Sequence, residues 1–292
     1  MKFAAIDIGS NAVRLLFAQV FENHNTVFKK DALYRVPIRL GEDVFVNQEI
    51  SSEKKDSLIN TLIAFKYLIK AYKPIDYLAC ATSAMREAEN SNEIINEIKK
   101  QADIDIKIID GFEEADIICS NHIADKLDKK GDYLYIDVGG GSTELTLISK
   151  NKIVKSQSFN IGTVRLLKEK VSDNKWLILK KWLKENINEL NKIEGIGSGG
   201  NINKVYKMSE TKIGKPVSYQ KIKKIYKSLI AYSFKDRIKK LGLRPDRADV
   251  IIPALEIYIF ILKYSKIKKL HVPEIGLSDG IIHLLYDKQK KL

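Results

Sequence analysis

Cysteine is scarce in this chain of 292 residues, with only two copies. Cys80 and Cys119 lie in apolar surroundings and show no metal-ligand spacing. A cysteine-based metal site is therefore not expected, and both residues are predicted to be free, buried thiols.

Long apolar runs are also missing from the sequence. The most apolar stretch, residues 250–262, is short and contains Pro253 and Glu256, so it predicts a buried core helix and not a membrane span. The first residues lead directly into a predicted strand, without a separate apolar signal region or a small-residue cleavage site. From these absences we expect a cytoplasmic protein that has no membrane partner.

Acidic residues are depleted in the second half of the chain. Residues 1–125 carry 15 Lys+Arg against 20 Asp+Glu, whereas residues 126–292 carry 35 against 17. The densest basic segment, 201–247, holds 14 basic and three acidic residues. This asymmetry predicts a polyanionic partner, although a lysine-rich composition that only maintains solubility is the alternative. Nucleic acid is not the expected polyanion.

Two segments that start 130 residues apart share one pattern. In residues 3–17 and again in residues 133–147, an apolar run ends in Asp and Gly and is followed by a second apolar run. Two strands joined by a tight turn that contains glycine predict a β-hairpin. The recurrence of this device predicts two similarly built domains.

Elsewhere, helical periodicity alternates with short apolar runs, which predicts an α/β fold. Residues 58–72 have helical spacing, with Ser51 or Ser52 as the expected cap and Pro74 as the terminator. The polar stretch 126–131 is the predicted domain boundary. The other predicted elements are strands at 77–81 and 107–110, a helix that begins at Glu113, and an amphipathic helix over 222–230.

Three glycine-rich turns follow predicted strands, at residues 9–11, 139–141 and 195–201. In turns of this kind, backbone N–H groups approach phosphate oxygens closely. None of the three has the P-loop spacing of Gly-x4-Gly-Lys-Ser/Thr, which argues against a P-loop enzyme.

Carboxylates stand beside these turns. Asp7, Asp137 and Glu144 would supply the hard oxygen ligands that Mg²⁺ prefers, and Mg²⁺ bridges readily to phosphate oxygens. The two aspartates would also suit a turn-capping role, in which a short acid bonds its own backbone. We favour metal binding because the glycine-rich turns are adjacent.

Five motifs occur in the order found in one known family. They are DIGSNAVR at 7–14, ATSAMREA at 81–88, GFEEA at 111–115, DVGGGSTEL at 137–145 and GSGG at 197–200. Together they resemble the exopolyphosphatase/guanosine pentaphosphate phosphatase family, and the resemblance spans nearly the whole chain.

The resemblance implies two actin-like, ribonuclease H-like domains of the ASKHA superfold, which flank a cleft. Domain I is expected over 1–125, with a last helix at 279–292 that returns to it, and domain II is expected over 126–278. Larger members of the family add a helical hydrolase-like domain at the C-terminus. No such domain is expected here, since the sequence ends at Leu292.

The resemblance also implies which residues form the site. Glu114 corresponds to the family's catalytic glutamate, a general base, whereas Glu113 is expected only to stabilise the helix dipole. Asp137 and Glu144, with help from Asp7, would hold Mg²⁺ or Mn²⁺. The residues expected to contact phosphate are Ser10, Asn11, Arg14, Arg86, Gly139, Gly140, Gly141, Ser142, Gly197, Ser198, Gly199 and Gly200.

The chain departs from the family pattern at two positions. Ala12 replaces a frequent serine, which removes one hydroxyl from the expected phosphate site. His283 stands where the family usually has an arginine after Ser-Asp-Gly. In the basic segment, the residues expected to bind the distal part of a polyanion are Lys204, Lys207, Lys212 and Lys215.

The leading functional expectation is an exopolyphosphatase that hydrolyses the terminal phosphoanhydride bond of polyphosphate. A guanosine pentaphosphate 5′-phosphatase is the enzymatic alternative, and the dense positive charge favours the longer polyanion. An actin-like sugar or acetate kinase would share the Asp/Gly turns but not the Glu-Glu-Ala motif. A sensor that binds polyphosphate or nucleotide without turnover is a further alternative. A homodimer is left open.

Overall fold

The computed structural model describes residues 1–22, 26–119, 131–150, 152–187 and 192–291. The chain divides into two units, one formed by Met1–Asn121 with Gly276–Leu292 and the other by His122–Ile275. The predicted boundary at 126–131 lies outside the described residues, apart from Gly131.

The first unit is built on a five-stranded sheet of order β3-β2-β1-β4-β5. Neighbouring strands are antiparallel from β3 through β1, whereas β4 and β5 run parallel to β1. Strand β1 is central, and six of its seven residues are buried. The strands are β1 (Lys2–Ile8), β2 (Val13–Glu22), β3 (Thr26–Val36), β4 (Asp76–Ala81) and β5 (Ile106–Ile108).

The described residues of this unit form six helices. They are α1 (Gly41–Asn47), α2 (Ser52–Tyr72), α3 (Ser83–Glu87), α4 (Ser91–Ala102), α5 (Gly111–Cys119) and α13 (Leu277–Lys290). Helix α2 begins after Ser51 and buries Leu58, Leu62 and Phe65, which confirms the helix predicted from the apolar spacing. Helix α13 lies against β1, β2, β4 and α5, so the last described segment of the chain belongs to the first unit.

The second unit contains a six-stranded sheet of order β10-β11-β9-β6-β7-β8. Its strands are β6 (Asp132–Val138), β7 (Thr143–Ser149), β8 (Lys152–Phe159), β9 (Ile193–Ser198), β10 (Val217–Ser218) and β11 (Lys269–His271). Strands β6, β7 and β8 are antiparallel neighbours, whereas β9 is parallel to β6 and β11 is parallel to β9.

Seven helices lie within the described part of the second unit. They are α6 (Thr163–Leu167), α7 (Asp173–Ile187), α8 (Gly200–Met208), α9 (Tyr219–Ile230), α10 (Phe234–Lys239), α11 (Pro245–Ala248) and α12 (Ile251–Tyr264). The apolar run at 250–262 forms α12, whose residues Ile257, Tyr258 and Ile261 lie in the core of the unit. None of the described helices is both long and apolar enough to cross a membrane.

The two sheets share one strand order. Five strands of the second sheet, β8-β7-β6-β9-β11, repeat the order and directions of β3-β2-β1-β4-β5. This is the strand order of the actin-like, ribonuclease H-like fold, and it occurs once in each unit. The two β-hairpins predicted from the repeated Asp/Gly pattern are β1–β2 and β6–β7, which confirms both the pattern and the fold class.

Candidate active site

A row of polar residues crosses the first sheet where β1 approaches its turn. Asp7 on β1 is paired with Arg14 on β2 and with Cys80 on β4, and Cys80 is in turn paired with Lys107 on β5. Paired residues on adjacent strands lie on the same face of a sheet. This face therefore carries Arg14, Asp7, Cys80 and Lys107 side by side.

An ion pair dominates this row. Arg14 Nη1 lies 2.5 Å from Asp7 Oδ2, and the Asp7 side chain is only 6% exposed. Next to it, burial, together with the nearby Asp7 and Glu113 carboxylates, raises the pKa of the Cys80 thiol to about 12. Cys80 is a free, buried thiol, as predicted, whereas the side chain of Cys119 lies outside the described residues. A neutral thiol thus stands beside the Asp7 carboxylate.

The equivalent row in the second sheet contains two acidic residues and no arginine. Asp137 on β6 is paired with Glu144 on β7 and with Ser198 on β9, and Glu144 is paired with Ser158 on β8. Glu144 is 2% exposed, and Ser158 Oγ donates to its Oε1 at 2.8 Å. Two carboxylates therefore face each other at the position where the first sheet pairs a carboxylate with an arginine.

Opposed carboxylates suit a divalent cation. Directly opposed residues have Cβ atoms about 5 Å apart, which lets Asp137 and Glu144 reach one ion, whereas like charges without a cation repel. Asp7, by contrast, is paired with Arg14. Among the described residues no three His, Cys, Asp or Glu side chains cluster as a metal site. The candidate donor set for a cation is therefore the pair Asp137 and Glu144.

The turn between β6 and β7 is held from behind by the chain that follows β8. Thr163 N donates to Gly139 O at 3.0 Å and Val164 N donates to Gly140 O at 2.8 Å. In a planar trans peptide the C=O and the following N–H point in opposite directions, so the N–H groups of Gly140 and Gly141 point away from α6. Within the described part of the chain, these two amides donate no hydrogen bond. Backbone amides that are left without a protein acceptor in this way are suited to bind an anion.

Close approach of the chain requires a glycine in this arrangement. A Cβ atom on Gly162 would collide with the backbone of Gly140 and Gly141. Because Gly162 has no side chain, the chain can come close enough for Thr163 and Val164 to donate hydrogen bonds to the turn.

The β1–β2 turn is held in the same way. Gly41 N donates to Ser10 O at 2.9 Å and Arg39 N donates to Asn11 O at 3.2 Å. Ser10 is buried, as is Ala12, the position where the family often has serine. The predicted phosphate contacts Ser10, Asn11 and Arg14 therefore lie in or directly after one turn.

The third glycine-rich segment reaches the Asp137 carboxylate. Gly199 has φ of 100°, and a Cβ atom at this residue would lie 3.2 Å from Asp137 Oδ1. Ser198 is buried, and its Oγ has no hydrogen-bond partner among the described residues. Tyr258 donates to the Ser198 carbonyl at 2.7 Å. The pKa of Tyr258 is raised well above its usual value by burial and by Asp137, so its hydroxyl stays neutral.

Glu114 lies in the first turn of α5. Asp110 Oδ1 accepts from the N–H groups of Phe112 and Glu113 and so caps this helix. Glu113 is paired with Lys107, whereas one carboxylate oxygen of Glu114 is buried. The two neighbouring acids therefore occupy different environments.

Arg86 is positioned next to this helix. Its Nη1 donates to the carbonyl of Ile109 at 2.7 Å, two residues before α5 begins. Arg86 thereby ties α3 to the start of the helix that carries Glu114.

The remaining predicted positions are spread over the two units. Lys204 and Lys207 lie on α8, with Lys212 and Lys215 in the exposed segment after it, and Lys207 pairs with Glu274 at 3.1 Å. His283, which stands in place of an arginine, stacks on the ring of Phe28 with 3.6 Å between the centroids. This contact packs α13 against β3.

Several residues of the site carried no recognisable signal in the sequence. Ser158 lies on a lysine-rich edge strand, and Tyr258 sits inside an apolar helix. Arg247 donates to the Gly200 carbonyl from 47 residues away. Arg165 donates to the Gly141 carbonyl at 2.6 Å. The Gly-Thr pair at 162–163 was the only available hint, since it is a helix-start pattern.

A profile of the Ppx/GppA phosphatase family matches residues 20–289. The chain belongs to this family. A bifunctional 3-dehydroquinate synthase/phosphatase of Fusobacterium nucleatum is 36% identical over 200 residues, which are 64% of this chain and 30% of that protein. Exopolyphosphatase 1 of Mycobacterium tuberculosis is 26% identical over 189 residues, 63% of this chain and 54% of the relative. This chain therefore spans about half or less of the length of these two Ppx/GppA relatives.

A solved structure shares the Ppx/GppA fold over the whole chain. The crystal structure of an exopolyphosphatase from Cytophaga hutchinsonii superposes with a TM-score of 0.84 at 24% identity and covers 99% of this chain and 98% of the other. This likeness establishes the fold.

Proposed function

We propose that this Ppx/GppA protein is a metal-dependent exopolyphosphatase, which releases orthophosphate from the end of a polyphosphate chain. The observation that carries the proposal is the opposition of Asp137 and Glu144 beside the Gly139–Ser142 turn. Carboxylates that suit a divalent cation and amides that suit an anion are thereby adjacent. A phosphoanhydride with a bound metal ion presents both a cation for the carboxylates and anionic oxygens for the amides.

The second unit would bind the metal and phosphate oxygens. Asp137 and Glu144 would hold Mg²⁺ or Mn²⁺, which neutralises charge on the phosphoanhydride oxygens. The amides of Gly140 and Gly141, which point away from α6, would donate to phosphate oxygens. Ser198 Oγ, a buried hydroxyl next to Asp137 in the sheet, would donate in the same region.

In the first unit, the proposed base is Glu114 and the proposed phosphate-binding residues include Arg14 and Arg86. Glu114 would accept a proton from the water that attacks the terminal phosphorus. The Glu114 carboxyl group would keep this proton until the product leaves. Arg14 and Arg86 carry guanidinium groups, which match two phosphate oxygens at once. Arg14 is now paired with Asp7, so Asp7 would orient Arg14 and is the weaker candidate as a metal ligand.

A guanosine pentaphosphate 5′-phosphatase is the second candidate, and one feature favours it. Phe112, two residues before Glu114, is 66% exposed. An exposed ring is a stacking surface for a purine, worth roughly 1–3 kcal/mol per base. The excess of lysine in 201–247 favours the longer polyanion instead.

A substrate panel distinguishes the two candidates. Orthophosphate release is measured from long polyphosphate, short polyphosphate, guanosine pentaphosphate and ATP, each with and without Mg²⁺. We expect Mg²⁺-dependent release that is fastest from long polyphosphate and unchanged in Phe112→Ala. Preference for guanosine pentaphosphate, with a KM raised by Phe112→Ala, would establish the second candidate. Absence of release from all four substrates would refute both.

A further inference from the structure

Arg165 is a buried cation behind the Gly139–Ser142 turn. It lies on α6, is only 6% exposed, and donates from Nε to the Gly141 carbonyl at 2.6 Å. Burial of a guanidinium costs much of its hydration free energy unless hydrogen bonds replace the water. At least one of those hydrogen bonds is made to the turn.

The Arg165 contact completes a series. Thr163 N and Val164 N donate hydrogen bonds to the carbonyls of Gly139 and Gly140, respectively. Arg165 Nε donates to the carbonyl of Gly141. Because the C=O and the following N–H of a trans peptide point in opposite directions, Arg165 turns the Ser142 N–H away from α6. The Ser142 N–H therefore points to the same side of the turn as the N–H groups of Gly140 and Gly141.

At the equivalent position in the first unit, the donor is a backbone N–H. Asn11 occupies the position of Gly141 in the earlier hairpin, and its carbonyl accepts from the backbone N–H of Arg39 at 3.2 Å. Hydrogen bonds from a charged donor are about twice as strong as those between neutral groups. The second unit therefore holds this peptide more firmly and also places a positive charge behind it.

We propose that Arg165 is a positioning residue, which sets the affinity of the Gly139–Ser142 turn for a phosphate group by fixing the Gly141–Ser142 peptide. The inference deepens the proposed function and rests on it for the identity of the anion. The side chain of Arg165 does not itself contact the phosphate. It acts through the Ser142 N–H, which donates to a phosphate oxygen.

The test measures orthophosphate binding to the full chain by calorimetry. Arg165→Lys keeps the charge but loses the planar Nε donor. We expect its dissociation constant for orthophosphate to rise roughly tenfold, the loss of one charged hydrogen bond. Arg237→Lys is the matched control, because Arg237 also donates from Nε to a carbonyl in the same unit, that of Tyr232 at 3.2 Å. Its affinity should match that of the wild type.

A second measurement needs no variant. In the wild type, the amide proton resonance of Ser142 should move downfield as orthophosphate is added, because that N–H gains an anionic acceptor.

Arg165→Lys should also raise the KM for polyphosphate more than it lowers kcat, whereas loss of folded protein would lower kcat alone.

The outcomes separate this inference from the proposed function. Orthophosphate binding that depends on Arg165, without hydrolysis of any substrate, supports the positioning role and refutes the enzymatic proposal. Hydrolysis of polyphosphate together with unchanged orthophosphate affinity in folded Arg165→Lys refutes the positioning role alone. A Ser142 amide resonance that does not move at saturating orthophosphate also refutes it.

Discussion

Glu144 stands directly opposite Asp137 in the β6–β7 hairpin. In the earlier hairpin of the same chain, the corresponding pair is an acid and an arginine. The duplicated fold therefore carries two versions of one position. The first pairs an acid with a base, and the second pairs two acids. The proposal of a metal-dependent phosphatase rests on this difference.

The first prediction concerns the base. Glu114→Gln should lower the rate of phosphate release roughly 10²–10⁴-fold, because the amide cannot accept the proton from water. Glu113→Gln is the control and should have little effect, since Glu113 pairs at the surface with Lys107. Steady-state rates of both variants measure the contrast. Equal rates for Glu114→Gln and the wild type would remove Glu114 from the mechanism.

The second prediction concerns the metal. Ser158→Ala removes the hydroxyl that donates to Glu144, and should raise the Mg²⁺ concentration for half-maximal rate roughly 10-fold or more. Ser156→Ala is the matched control, because Ser156 makes a similar bond to Thr146 two residues along the same strand. Glu144→Gln should have a larger effect than Ser158→Ala. Identical Mg²⁺ dependence in all three variants would contradict a metal site at Glu144.

The third prediction concerns the basic segment. Replacement of Lys204, Lys207, Lys212 and Lys215 by Gln should raise the KM for long polyphosphate and leave short substrates nearly unchanged. Contacts far from the scissile bond add binding and not rate. The effect should fade above physiological ionic strength, where the Debye length falls below ~8 Å. Lys207 should contribute least, since it pairs with Glu274.

A variant of equal charge controls for this effect. It carries Gln at Lys152, Lys155, Lys181 and Lys184, which lie elsewhere in the second unit. An unchanged KM for long chains in the first variant, or an equal rise in both, would mean that the lysines only form a solvated surface.

The fourth prediction concerns stability and pH. Lys54 Nζ binds the Arg39 carbonyl at 2.8 Å and Asp43 Oδ1 at 2.8 Å, which secures the segment that holds the β1–β2 turn. Burial alone would raise the pKa of Asp43, but the hydrogen bonds from Lys54 and Ser51 outweigh burial and lower it. Because the folded pKa lies below the unfolded value, the stabilisation is present above about pH 4 and is lost as the pH falls through the folded pKa.

Urea denaturation at pH 7 and pH 3 measures this effect. Lys54→Met should lower the free energy of unfolding by about 1–2 kcal/mol at pH 7 and by less at pH 3. Lys66→Met on the same helix should change it little at either pH. An equal loss for Lys54→Met at both pH values would contradict the role of the Asp43 carboxylate.

Local signals predicted much of this fold. Ser51, the apolar spacing from Leu58 to Tyr72 and Pro74 were enough to predict α2, and the Asp/Gly turns predicted both hairpins. Strands β3 and β8 gave no clear signal, because they are edge strands whose lysines face solvent.

The site was less predictable than the fold, because its geometry depends on pairing between distant segments. The motif around Asp7 and Arg14 revealed both residues but not their ion pair, which would have weakened the expectation of Asp7 as a metal ligand. Arg165 lies 24 residues after the carbonyl it binds. Only the register of β6, β7 and β8 brings that helix behind the turn.

The most direct test of the central claim is the product pattern from polyphosphate of one defined length. With Mg²⁺ present, the wild type should release orthophosphate and shorten the chains from the end, and chelation of the metal should stop the reaction. Internal cleavage into long fragments, or orthophosphate release that is unaffected by chelation, would contradict the proposal of a metal-dependent exopolyphosphatase.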